Sequence, residues 1–212
     1  MYIKEYMRTP VITVAPDTLL DEALRLMHEN NIRRLPVVQD GILVGLVTRR
    51  ILQEATPTSP MPLSIWGAHY QLSKMRIRDV MITDVITTSP DDAIEEVTAM
   101  AEKNKIGSLP VVDKQGKLVG ILTVTDLNRL LAKILGFGHK GIRLHIRKLG
   151  NISHHQIMGV LSRYPVEILS AFSVPLNSSD DEDFIIHLDT EQAEEIAEDL
   201  QKLGLQVEMR QH

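Results

Sequence analysis

The chain contains no cysteine. A disulfide framework, a thiolate zinc site and a cysteine nucleophile are therefore excluded. Aromatic residues make up only 4%, which leaves few platforms for stacking nucleic-acid bases. No apolar run reaches the length of a membrane-spanning helix, about 18 residues or more. The opening MYIKEYMRTP lacks the apolar core of a secretory signal. A cytoplasmic protein away from membranes is the expectation. Also missing are a Walker phosphate loop and a nucleophile elbow, so an enzyme is not expected. His139, His145, His154 and His155 lie close in sequence, but their spacing matches no metal-ligand pattern, and adjacent histidines on a helix diverge. They read as solvated surface residues, with no metal bound. The acidic run "DDED" reads as a solvated loop tip.

What is present is a foldable chain. Its 212 residues, 43% of them apolar, allow one large domain or two to three small ones with a real core. The net charge of −5 is unevenly placed: residues 1–136 hold 16 Lys+Arg and 16 Asp+Glu, residues 137–212 hold 7 and 12. The whole imbalance thus lies in the last third, where an acidic surface would repel a phosphate backbone. Nucleic acid is not an expected partner.

The dominant feature is an internal duplication. An offset of 74 pairs Met7 with Met81, Val11-Ile12-Thr13 with Val85-Ile86-Thr87, and Leu35-Pro36-Val37-Val38 with Leu109-Pro110-Val111-Val112. After one inserted residue, an offset of 75 pairs Gly45, Thr48 and Leu52 with Gly120, Thr123 and Leu127. Each copy reads as strand (11–14; 85–88), a helix opened by proline, two apolar strands joined by a glycine turn, and a second helix starting near Ile51 or Asp126.

The copies differ at one position of chemical weight. Asp126 of the second copy faces Ile51 of the first. A carboxylate after Thr123 and Thr125 at a strand-to-helix junction can cap the helix. It can equally accept from two vicinal hydroxyls, as a ribose presents, beside a helix N-terminus that favours phosphate. Arg33-Arg34 read either as a basic pair favoured by a helix end or as phosphate donors.

These repeats, with LPVV and G-x-L-V-G-[IL]-hydrophobic-T in both, resemble a pair of CBS domains, a Bateman module, over residues 1 to about 135. The resemblance implies two repeats (1–56 and 77–135, with a linker at 57–76) packed about a pseudo-twofold axis with two clefts. It implies that AMP, ADP, ATP or S-adenosylmethionine is the ligand, with no resident cofactor. Carried onto this chain, Pro10, Val11 and Ile12 would line the adenine and Ile32 would pack on the base. Arg33 would reach the phosphates, Thr123 and Thr125 the sugar or phosphate, and Asp126 the ribose diol. A mirror cleft would use Thr48, Arg50, Asp84, Ile86, Ile106 and Gly107, with Ile51 where the acid is missing. Such modules also pair between chains, so a homodimer is expected. Trp66 and Tyr70, four apart between the repeats, read as neighbours on a connecting helix.

After the joint at 136–141, residues 142–212 alternate as strands and helices: Ile142, Leu144 and Ile146 on one strand face, a helix with Ile157, Val160 and Leu161, and strands at 166–174 and 184–188. Thr190 is expected to cap a helix carrying Ile196 and Leu200, stopped by Gly204, before the last strand. The order βαββαβ is ferredoxin-like and resembles an ACT domain, with Gly150 in the loop where that family often places a glycine. The fold expected is therefore α/β (α+β): two βαββα CBS repeats, then an ACT-type domain that could join the dimer. The full order resembles the bacterial acetoin-utilisation proteins of CBS–ACT type. It implies a regulator of carbon or energy metabolism that signals to a further protein. An oligomerisation scaffold without nucleotide is the alternative.

Overall fold

The computed structural model describes residues 1–55, 74–147, 149, 151–176 and 182–211. Trp66, Tyr70, Gly150 and part of the acidic run lie outside them. The chain divides into two compact units, Met1–Leu127 and Asn128–His212.

In the first unit, the first repeat contains α1 (Leu20–Glu29), β1 (Arg34–Gln39), β2 (Ile42–Thr48) and α2 (Arg49–Ala55). The second contains α3 (Ile94–Lys103), β3 (Ser108–Val112), β4 (Leu118–Thr123) and α4 (Val124–Ile134), which runs past the division between the units. β1 pairs antiparallel with β2, and β3 with β4. Asp40-Gly41, both with positive φ (52° and 83°), close the first hairpin in two residues. Asp-Gly suits that turn because glycine reaches positive φ without cost and aspartate tolerates it.

The expected first strands are a correction. Val14 and Thr88 each make one parallel bridge, to Val37 and Val111, and among the described residues no ladder extends them. Prolines at 10, 16 and 90 interrupt donation nearby, so the β-branched runs supply single bridge residues. Nor do the helices open at the prolines: α1 and α3 begin at Leu20 and Ile94, after turns in which the Thr18 hydroxyl accepts from Ala15 N and the Asp92 carboxylate from Ser89 N.

The repeats exchange their leading segments. A 3-10 turn at Ile3–Glu5, sequentially in repeat one, docks on repeat two through Ile3 N to Asp92 O (3.1 Å) and Lys4 N to Pro90 O (3.0 Å). Its counterpart at Ile77–Asp79 docks on repeat one through Ile77 N to Thr18 O (2.9 Å) and Arg78 N to Pro16 O (2.9 Å). Ile77 enters the core of repeat one beside Leu20, Met27, Leu35 and Leu52. The hairpin tips join too, Leu43 N to Gly116 O and Leu118 N to Gly41 O.

The second unit contains β5 (Ile142–Arg147), α5 (His154–Leu161), β6 (Glu167–Pro175), β7 (Glu182–Asp189), α6 (Ala193–Lys202) and β8 (Gln206–Gln211). The strands form one antiparallel sheet in the order β6-β7-β5-β8. This is the split βαββαβ arrangement. Leu144 and Ile146 of β5 and Ile186 and Leu188 of β7 share one core with Ile157, Leu161, Ile196 and Leu200 of the helices.

Three local expectations fail here. Thr190 does not cap α6; its hydroxyl accepts from Gln192 N and shapes the turn before the helix. Nor is the whole acidic run a loop tip. Asp183 lies in β7 and is 4% exposed, because His145 (2.9 Å) and Arg147 (3.0 Å) from the neighbouring strand bond its carboxylate. His145 is thereby a strand-to-strand partner and not a solvated surface residue. His154 remains at the surface, its side chain 45% exposed, where it bonds the Ser173 hydroxyl and meets Phe184 edge-on.

Candidate functional site

The start of α4 concentrates the polar chemistry of the first unit. Thr123 is the last residue of β4, and its hydroxyl accepts from Asp126 N (3.3 Å), as an N-cap does. The Asp126 carboxylate returns the bond: Oδ2 accepts from Thr123 N (3.0 Å) and the Thr123 hydroxyl (2.5 Å). This reciprocal pattern is a capping box with an aspartate in the third helical position. The helix-capping role read in the sequence is thus present, shared between the two residues.

The other oxygen of Asp126 is held from the opposite repeat. Arg8 Nε donates to Oδ1 at 2.6 Å. Arg8 is placed there by the exchanged leading segment, whose backbone bridges β4 through Arg8 N to Ile121 O (2.9 Å) and Ile121 N to Arg8 O (3.1 Å). The Asp126 side chain is 3% exposed and that of Arg8 47%. Burial alone would raise the Asp126 pKa, but the Thr123 and Arg8 hydrogen bonds and the Arg8 charge outweigh it, holding the carboxyl below its ordinary value. A depressed folded pKa stabilises the fold above the unfolded carboxylate value, about 3.9, and that contribution is lost as pH falls through the folded pKa. The stability difference between the native protein and Asp126→Asn is therefore expected to be constant from neutral pH to about pH 5 and to shrink in stronger acid. Denaturant unfolding across that range checks it; a difference that grows as pH falls would contradict the assignment.

The remaining residues expected in this cleft are placed as follows. Pro10 and Ile12 are exposed and Val11 half-buried on the segment leading from Arg8. Ile32 is half-buried against the core of repeat one. Thr125 is exposed on the first turn of α4. Arg33 is exposed, whereas Arg34 turns inward: a Cβ on Gly107 would overlap its guanidinium. Only glycine permits that approach. The Gly107 carbonyl accepts from Val124 N (3.3 Å), which brings Arg34 to the start of α4. Burial and then the Arg33 charge lower the Arg34 pKa, yet a guanidinium remains charged.

At the mirror position the geometry repeats without the charge. The Thr48 hydroxyl accepts from Ile51 N (3.3 Å), and Ile51 packs against the core of repeat one. Arg8 is matched by Ile82, whose backbone exchanges hydrogen bonds with Leu46 as Arg8 does with Ile121. Arg50 pairs with Glu54 along α2. Asp84 and Ile86 are exposed, and Ile106 and Gly107 are half-buried. An ion pair in one half thus corresponds to two isoleucines in the other. Among the described residues no group of three or more His, Cys, Asp or Glu could hold a metal, and no helix is long and apolar enough to cross a membrane.

Comparison with known proteins places this geometry. The chain is 30% identical over 157 residues to the CBS domain-containing protein YhcV of Bacillus subtilis, covering 73% of this chain and 97% of that protein. It is 38% identical over 117 residues to an inosine-5′-monophosphate dehydrogenase of Thermoplasma acidophilum, but this covers only 21% of the enzyme. Among solved structures, a protein assigned to acetoin utilization (AcuB) from Vibrio cholerae superposes with a TM-score of 0.55 at 29% identity, covering 64% of this chain and 93% of that one. The CBS domain pair of protein MJ0100, in complex with 5′-methylthioadenosine and S-adenosyl-L-methionine, gives 0.52 at 28%, covering 62% and 96%. Arabidopsis thaliana CBSX2 in complex with AMP gives 0.52 at 28%, covering 63% and 98%. The CBS domain model matches twice, at residues 3–56 and 77–133. With both copies matched over more than half its length, the chain belongs to the CBS-domain family.

Proposed function

We propose that the protein is a non-enzymatic regulator that binds an adenosine ligand in the cleft at the start of α4. One observation carries the reading: a buried carboxylate at a helix N-terminus, Asp126, reached by cationic and hydroxyl groups from both repeats. A ribose diol fits such an acceptor, and the helix N-terminus beside it favours phosphate. Arg34, drawn inward over Gly107, is better placed than Arg33 to meet that phosphate. The exposed Ile12 and half-buried Ile32 offer apolar faces to a base. The structural neighbours in complex with 5′-methylthioadenosine and S-adenosyl-L-methionine or with AMP lend the reading support. Because the second cleft has Ile51 and Ile82 in place of the ion pair, one ligand per chain is assigned.

Ligand binding across the two repeats would act by favouring one arrangement of the module over another. The βαββαβ unit is assigned as an ACT-type domain that transmits or stabilises this change in a homodimer. Val124, Leu131 and Ile134, exposed on α4, suit contact with a second copy. Likeness to the acetoin-utilization structure supports a place in carbon or energy metabolism. Isothermal titration of the full chain with AMP, ADP, ATP and S-adenosylmethionine tests the reading. Saturation at one ligand per chain is expected. Two equivalent sites would contradict the lapse of the mirror cleft, and no binding at millimolar ligand would leave the scaffold reading in its place.

A further inference from the structure

We infer that Arg8 makes this cleft demand an anionic adenosine ligand, selecting adenine nucleotides over adenosine and S-adenosylmethionine; the inference rests on the nucleotide reading above. The Asp126 carboxylate already accepts at least three hydrogen bonds, from Arg8 Nε, Thr123 N and the Thr123 hydroxyl. A carboxylate offers about four acceptor positions. A ribose diol brings two further donors, so at least one resident donor has to leave. The two Thr123 donors are built into the α4 cap. Of these donors Arg8 is the one with freedom to move, since its side chain is long, half-exposed and, among the described residues, tied through Nε.

Release of Arg8 has a chemical consequence. Its ion pair with Asp126 is given up as the sugar docks, and an uncharged nucleoside returns nothing to the guanidinium. A 5′-phosphate, one sugar away from the diol and within the sweep of an arginine chain, gives it a new anion. The Nη groups hold no partner among the described residues, so the planar fork is ready to accept that role. S-adenosylmethionine carries a sulfonium at the same place and would repel the arginine. The Arg8–Asp126 contact thus acts as an intramolecular competitor that phosphate-bearing ligands displace and neutral or cationic ones do not. Among the described residues no such competitor stands at the mirror position, which holds Ile82 and Ile51.

The test is a titration matrix of the native full-length protein, Arg8→Met and Arg8→Gln with adenosine, S-adenosylmethionine, AMP and ATP, with circular dichroism to show that each variant is folded. The native protein is expected to prefer AMP over adenosine by about tenfold or more, the scale of one charge-assisted hydrogen bond. Arg8→Met is expected to weaken AMP and strengthen adenosine, collapsing that ratio; Arg8→Gln, which keeps a polar chain of similar reach, should do the same. Equal changes for every ligand, no change, or a native preference for S-adenosylmethionine would overturn the role of Arg8 while leaving the adenosine site standing. Failure of all four ligands to bind the native protein would remove the site itself, and the role of Arg8 with it.

Discussion

Ile77→Ala is expected to lower the unfolding free energy of the CBS pair by about 2–5 kcal/mol, the range for emptying a buried aliphatic site. It should do so by loosening repeat one, although residue 77 begins repeat two. The Ile77 side chain is fully buried in the cluster of Val14, Leu20, Ala23, Met27, Leu35, Val37, Val47 and Leu52. Its backbone is held on that repeat by Ile77 N to Thr18 O, and the chain just before it by Leu20 N to Met75 O (3.0 Å). A cavity there has little freedom to collapse, because both flanks are pinned to the wall it would leave. Against a total of roughly 5–15 kcal/mol for a domain, the loss is large. Denaturant unfolding gives the magnitude, and hydrogen exchange gives the place: protection should fall in α1 and β1. A loss under about 1 kcal/mol, or deprotection confined to α3 and β3, would contradict the exchange of leading segments.

That exchange also marks the boundary of what the sequence makes legible. Local features are readable where they depend on near neighbours. Asp40-Gly41 announces its two-residue hairpin because both positions need positive φ. Alternation of Leu144 and Ile146 with Arg143, His145 and Arg147 marks β5 because period two separates the two faces of a strand. The duplication makes the loss of the acid visible as a mismatch between Ile51 and Asp126. Arg8 is invisible by the same means, since its partner lies 118 residues away and the chain crosses between repeats to reach it. A comparison of copies could have pointed to it: Arg8 against Ile82 and Asp126 against Ile51 change together from charged to apolar. Asp183 was hidden for a related reason. Its place in an acidic run suggests solvent, and only the register of β5 on β7 sets it beside His145 and Arg147.

Asp126→Ala is expected to weaken adenine nucleotide binding by about one to two orders of magnitude. Two hydrogen bonds from a ribose diol to a carboxylate, each contributing about 1.5–3 kcal/mol, less the one Arg8 bond of similar size that the sugar displaces, leave roughly 1.5–3 kcal/mol, and each 1.4 kcal/mol is about tenfold in Kd. The same substitution should cost the fold less. It removes half of the α4 capping box, an effect of about 0.5–2 kcal/mol. Arg8, already half-exposed, returns to water with little penalty. The asymmetry separates a binding carboxylate from a capping one. As a cap alone, Asp126 would show its loss chiefly in thermal unfolding, with nucleotide affinity following only as far as the helix end frays. As the acceptor of the sugar, it loses affinity out of proportion to stability. Titration and thermal unfolding of Asp126→Ala beside Thr123→Val make the comparison, because the valine variant removes the hydroxyl from the same capping box and leaves the carboxylate. Equal affinity in the two variants would return Asp126 to a purely structural role, whereas a deficit of at least tenfold in Asp126→Ala relative to Thr123→Val identifies it as the residue that holds the ribose.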